Sequence, residues 1–209
     1  MSAYKLCQCD LRNKEMLLAA LKTLGLEPTV YATPQHLKGY QGDTRDVSAE
    51  IVVERSKLNA RFTQASNDLG FKWNHETKQF DVVISDYDQS SGMLARVQQA
   101  YLYVVIAKAM EEARFSESEG ASENRLQARK RADVRLAYSQ WIGDPAKQVT
   151  VDVTLTKEGK LVAAPSGTVG DECLSLLSFL DDVDGLTVVS TTRTDDYDKG
   201  VQIAGMVEH

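Results

Sequence analysis

Apolar and polar residues alternate from Tyr4 to Asp10, Tyr4 and Leu6 against Lys5 and Cys7, the period-two pattern of a short strand. The period then lengthens. Leu17, Ala20, Leu21 and Leu24 recur at helical spacing behind an Asn13 cap, with Glu15 in the first turn and Gly25 at the stop. Leu26 to Tyr31 is extended, so the chain opens β-α-β. Thr33 to Asp46, with Pro34, Gly39 and Gly42, reads as a loop. Val47 to Glu54 and Leu69 to Trp73 read as strands, and Asn74-His75-Glu76-Thr77 as the turn into a third, Phe80 to Ser85. From Met93 to Phe115, Leu94, Val97, Tyr101, Val104 and Val105 form a stripe that Tyr103, Ile106 and Met110 widen. A helix apolar over so much of its circumference belongs across a sheet.

The composition breaks at Ser116 to Ser122, small, polar and acidic as linkers are. A charged helix is predicted over Glu123 to Trp141, with Val134, Ala137, Tyr138 and Trp141 as its docking stripe and Gly143-Asp144-Pro145 as its end. Beyond it Val149, Val151, Val153 and Leu155 alternate with polar residues in a half-buried strand. Lys157 to Lys160 turns into a second strand ending near Pro165. Thr168 and Asp171 have the spacing of a capping box. The helix behind it carries Cys173, Leu176, Leu177, Leu180 and Val183, and Thr187 to Thr191 is a last strand. The expectation is an α+β protein. Residues 1–115 form an N-terminal mixed or antiparallel sheet with a long covering helix, 116–146 an acidic linker and helical connector, and 147–209 a small ββαβ C-terminal module.

Charge narrows the partners. The net charge of -6 lacks the basic face that nucleic-acid binding draws on. Three cysteines, an odd number, do not make a secreted disulfide scaffold. No run approaches the roughly 20 apolar residues of a membrane helix, and the first residues lack an apolar signal core. A cytoplasmic protein away from membrane and nucleic acid is expected.

Leu17 to Leu26 (Leu-x-x-Ala-Leu-x-x-Leu-Gly-Leu), Gly39-Tyr40-x-Gly42, Leu69-Gly70-Phe71-x-Trp73-Asn74 and Tyr101-x-Tyr103 together resemble a family of unknown function. Its best-known member is a conserved hypothetical reading frame of algal plastids and cyanobacteria, with bacterial and phage relatives. A histidine and an arginine accompany the paired tyrosines in that family; here Val104 and Ala100 stand in those places. Val149 to Tyr197, with Glu158-Gly159 and Gly170-x-x-Cys173, resembles a second small family found as a separate protein in the same gene neighbourhoods. The two resemblances imply a fusion of partners that act together. They also imply an accessory role beside an AAA+-type ATPase.

Candidate chemistry is sparse. Cys7 and Cys9 share one side of a strand, and Cys173 sits on an apolar helix face; core contacts are the expected role of all three. His36, His75 and His209 fall in loops or at the end of the chain, without metal-ligand spacing. Asp181-Asp182-Val183-Asp184-Gly185 begins like a calcium loop but has Leu180 and Thr191 in the first and twelfth places. Gly39, Tyr40, Gly42 and Arg45 in one loop, with Trp73 and the Asp86/Asp88 turn, form a candidate ligand-binding group: the glycines permit close approach and Arg45 pairs with an anion. Arg125, Arg129, Lys130, Arg131 and Arg135 form a candidate docking surface for an acidic partner. No catalytic residue, metal or cofactor is assigned. Three functional expectations stand open: an accessory or adaptor protein of a multiprotein assembly, a small ligand- or metal-binding enzyme module, and a self-assembling structural protein that forms homo-oligomers.

Overall fold

The computed structural model describes residues 3–62, 65–119, 126, 132–143, 147–168 and 170–193. The first strand, β1 (Ala3–Cys9), leads through Asn13, whose side chain accepts from the Met16 amide, into α1 (Lys14–Thr23). A meander follows: β2 (Thr29–Lys38), β3 (Thr44–Val53), the short helix α2 (Arg55–Arg61), β4 (Leu69–Asn74) and β5 (Gln79–Val83). Next come α3 (Asp86–Ser90) and the long helix α4 (Met93–Glu112). The remainder is β6 (Ser116–Glu119), β7 (Val134–Ile142), β8 (Lys147–Leu155), β9 (Leu161–Ser166), α5 (Asp171–Leu176), a 3₁₀ turn (Ser178–Asp181) and β10 (Leu186–Arg193). Two antiparallel sheets result, in the orders β2-β3-β4-β5 and β10-β1-β9-β8-β7-β6. The α+β class is as the pattern implied.

The expected linker and helical connector are corrected at 116–119 and 134–142, while residues 120–125 and 127–131 of that stretch lie outside the described residues. Ser116–Glu119 is a strand on β7, and Val134–Ile142, predicted as a helix, pairs residue for residue with Lys147–Leu155. Val134, Leu136 and Tyr138 are buried while Arg135 between them is exposed, a period of two. The helical stripe had included Trp141, which is 66% exposed. Pairing with the β-branched run of β8 overrides the local helical spacing. The loop expected over 33–46 is mostly the two arms of the β2–β3 hairpin. The capping box is also absent: Gly170 is the cap residue of α5, and Thr168 Oγ1 lies 3.2 Å from Cys173 Sγ instead.

Strand β1 crosses the expected boundary between modules. It lies between β10 and β9, so residues 3–9 complete the sheet that β6 to β10 make. Its inward residues are Ala3, Lys5 and Cys7 rather than Tyr4 and Leu6. Lys5 is 5% exposed and is accommodated because Nζ donates to Leu177 O at 3.1 Å and to Asp181 Oδ2 at 2.7 Å. A buried ammonium left without such partners would be strongly unfavourable.

One hydrophobic core joins both sheets through the helices. Leu17 and Leu21 of α1, Val97 and Ile106 of α4, Ile51 and Phe71 of the four-stranded sheet and Val151 and Val153 of the six-stranded sheet belong to it. Helix α4 is buried around its circumference, Arg96, Val97, Gln99, Ala100, Tyr101 and Leu102 included, as a helix enclosed on several sides must be. Gln99 Nε2 donates to Leu155 O at 2.9 Å, and Tyr101 Oη accepts from the Asn13 amide at 3.1 Å, so the helix is pinned by polar as well as apolar contacts.

Candidate functional site

The β2–β3 hairpin is where sequence and structure depart most from a plain meander. Val30 pairs with Ile51 and Gln35 with Ala49, so five steps along β2 answer two along β3. Tyr31 to Pro34 stand opposite Glu50 alone, a bulge on an edge strand, where a proline lacking an amide is tolerated. Beyond the bulge the hairpin folds back on its own sheet. Leu37 packs with Ala49, Val52 and Val83 in a small outer core, separate from the main one. Gly70 makes this possible: a Cβ there would come 2.9 Å from Leu37 Cδ1 and 2.8 Å from Ala49 Cβ.

The tip is latched by residues that the motifs did not single out. Asp68, 8% exposed, accepts from the Lys38 amide through Oδ2 and the Arg55 amide through Oδ1, each at 2.9 Å, and its own amide donates to Lys38 O at 3.0 Å. The Arg55 guanidinium donates to Tyr40 O and lies 5.1 Å from the centre of the Tyr40 ring. Gly39 and Gly42 close the turn: the Gly39 amide donates to Asp43 O at 2.8 Å, and Gly42 has φ +80°, which favours glycine. Arg45, exposed, lies 3.8 Å from Asp43, and its carbonyl meets His36 Nδ1 at 2.9 Å, so His36 is on a strand and not in a loop.

The Asp86/Asp88 turn connects to this latch. Ser85 caps α3 and Asp88 is 2% exposed. Its carboxylate accepts from Ser66 N and Oγ, Asn67 N and Ser85 Oγ, the last at 2.6 Å. Burial opposes ionisation, but these donors outweigh it and hold the carboxyl below the ordinary aspartate range. Asp88 thus fixes residues 66 and 67, and the next residue, Asp68, fixes the hairpin. Its role is to order the loop, while Asp86 beside it is exposed. Trp73 sits on β4 with its ring 4.9 Å from Phe80, edge to face, and its amide on Glu50 Oε2.

Other candidates fall elsewhere. Arg125, Arg129, Lys130 and Arg131 lie outside the described residues; Arg135 is on β7 opposite Thr154 and exposed. Cys7 is buried and Cys9 half-buried against the main core, and Cys173 packs with Ala3. Burial pushes the Cys7 thiol up to about 11 and Cys9 up to about 12, which suppresses thiolate chemistry. Burial, with Glu117 and Tyr103 nearby, also raises the Tyr138 hydroxyl. Among the described residues no three His, Cys, Asp or Glu side chains are grouped to hold a metal ion, and no helix is long and apolar enough to cross a membrane.

What the hairpin displays is apolar surface. Seven large apolar side chains are exposed among the described residues, and Val30 (41%), Tyr31 (37%), Tyr40 (69%) and Val47 (45%) are all on it. The others, Tyr87, Trp141 and Val189, are on three separate elements. The family described as "Protein of unknown function (DUF1257)" matches residues 20–129, a stretch that contains the hairpin, its latch and α4. No curated protein and no solved structure matches the chain.

Proposed function

The chain belongs to the DUF1257 family, and we propose that it is an accessory protein that docks a larger protein through the β2–β3 hairpin. The observation that carries this is the concentration of exposed apolar side chains on one latched hairpin. An isolated exposed apolar residue needs no explanation, whereas a group of them on a rigid element marks an interaction surface. Tyr40 beside Arg55, with Arg45 on the same hairpin, supplies the residue types that dominate interface energetics. Gly39, Tyr40, Gly42 and Arg45 thus serve a protein contact in place of a small ligand. The partner implied by the family resemblance is an AAA+-type ATPase in the cytoplasm. In the same reading residues 149–197 descend from a separate partner protein. Strand β1 lies between β10 and β9, so in this chain the two stretches are parts of one sheet.

Affinity purification from source cells without chelator, followed by native mass spectrometry, tests the proposal. A stoichiometric partner is expected with the native chain, and about tenfold or greater loss in the folded double variant Tyr40→Asp/Val47→Asp. Recovery of the chain alone with the added mass of a metal or small molecule favours the ligand-binding reading. Recovery only as multiples of itself favours self-assembly.

A further inference from the structure

A second surface, independent of the hairpin, lies at the other end of α4. Val105, Lys108, Ala109, Glu112 and Ala113 recur at three- and four-residue spacing and line a groove of about 470 Å³. The stripe runs about 12 Å along the helix at 1.5 Å per residue. Met16 of α1, Phe179 of the 3₁₀ turn and Val183 just beyond it supply the facing apolar walls. That 3₁₀ wall is preformed, because buried Lys5 holds it through Leu177 O and Asp181.

The rim decides the occupant. Glu112, Asp182 and Asp184 stand against one cation, Lys108, which lies 3.8 Å from Glu112. Asp182 and Asp184 are exposed on the opposite wall, and Arg12, which is not part of the groove's lining, lies 3.9 Å from Asp184. An apolar floor beneath an acidic edge is complementary to apolar side chains flanked by Lys or Arg. The floor is itself a helix stripe with small residues, Ala109 and Ala113, so a second helix can approach closely. We infer that this groove docks a basic amphipathic helix of a partner protein, its apolar side chains seated between Ala109 and Val183 and its cations facing Asp182 and Asp184. An adaptor with this groove and the hairpin holds two protein segments at once.

The test uses the full chain with labelled methyl groups and two synthetic helical peptides. Both carry leucines at i, i+3, i+4 and i+7; one has lysines on the flanks and the other glutamates. The lysine peptide is expected to shift the Val105, Ala109 and Val183 methyls and to bind the Asp182→Lys/Asp184→Lys variant about tenfold or more weakly. The glutamate peptide is expected to bind the native chain more weakly than the lysine peptide. Equal binding of the two peptides, shifts mapped to other methyls, or no shift with either at millimolar concentration overturns the inference. Identical shifts produced by spermidine alone, at equal affinity, overturn it in favour of a free polyamine.

Discussion

Asp88 shows how one buried carboxylate organises a surface. Four donors converge on it, two from the backbone of the 65–68 segment and two from serine hydroxyls. Asn at this position would place an NH2 group where the Ser66 and Asn67 backbone amides, which can only donate, now point. Asp88→Asn is therefore expected to destabilise the protein by about 1–3 kcal/mol in urea unfolding. The pH dependence has a definite sign. The folded pKa lies below that of an unfolded aspartate, about 3.9, so the contribution is complete above that pH and is lost as pH falls through the folded value. The gap between native and variant stability should accordingly narrow in acid; a gap that widened would reverse the assignment. The residue type and its place after a strand were visible in the sequence. Its partners were not, because Ser66 and Asn67 are brought to it by tertiary folding across some twenty residues.

Elements with a strong single periodicity were legible: α1, α4, β8 and the β4–β5 hairpin stand where the pattern put them. Elements whose residues suit two periods were not. Val134, Leu136 and Tyr138 fit a strand, while Val134, Ala137, Tyr138 and Trp141 fit a helix, and only pairing with β8 decides between them. The β2–β3 hairpin was hidden for another reason. Pro34 and the two glycines are loop signals, yet here they make a bulge and a turn that let the arms fold back. Gly70 is the hinge of that arrangement, as the only residue type that leaves room for Leu37 beside Ala49. Gly70→Ala is expected to cost about 1–3 kcal/mol through overpacking. Hydrogen exchange should accelerate at residues 37–43, while α4 keeps its protection. Unchanged exchange in the hairpin would mean that Leu37 does not hold it.

At the scale of the whole molecule residues 3–9 and the strands from β6 to β10 form one sheet. Composition suggested separate modules because it cannot register that β1 enters a sheet with strands about 150 to 190 residues later. Co-expression of residues 1–143 with residues 147–209 as two chains should give a stoichiometric complex, since β1 fills the place between β10 and β9. Independent folding of the shorter piece as a stable monomer would contradict this. The central proposal is that the latched hairpin is the surface through which the protein docks a partner. The most direct measurement is crosslinking in source cells from a photoreactive amino acid at position 40, with position 152 on the exposed face of β8 as the control. One partner protein captured from position 40 and not from position 152 is expected. The same pattern from both positions, or no adduct from position 40, would contradict the claim.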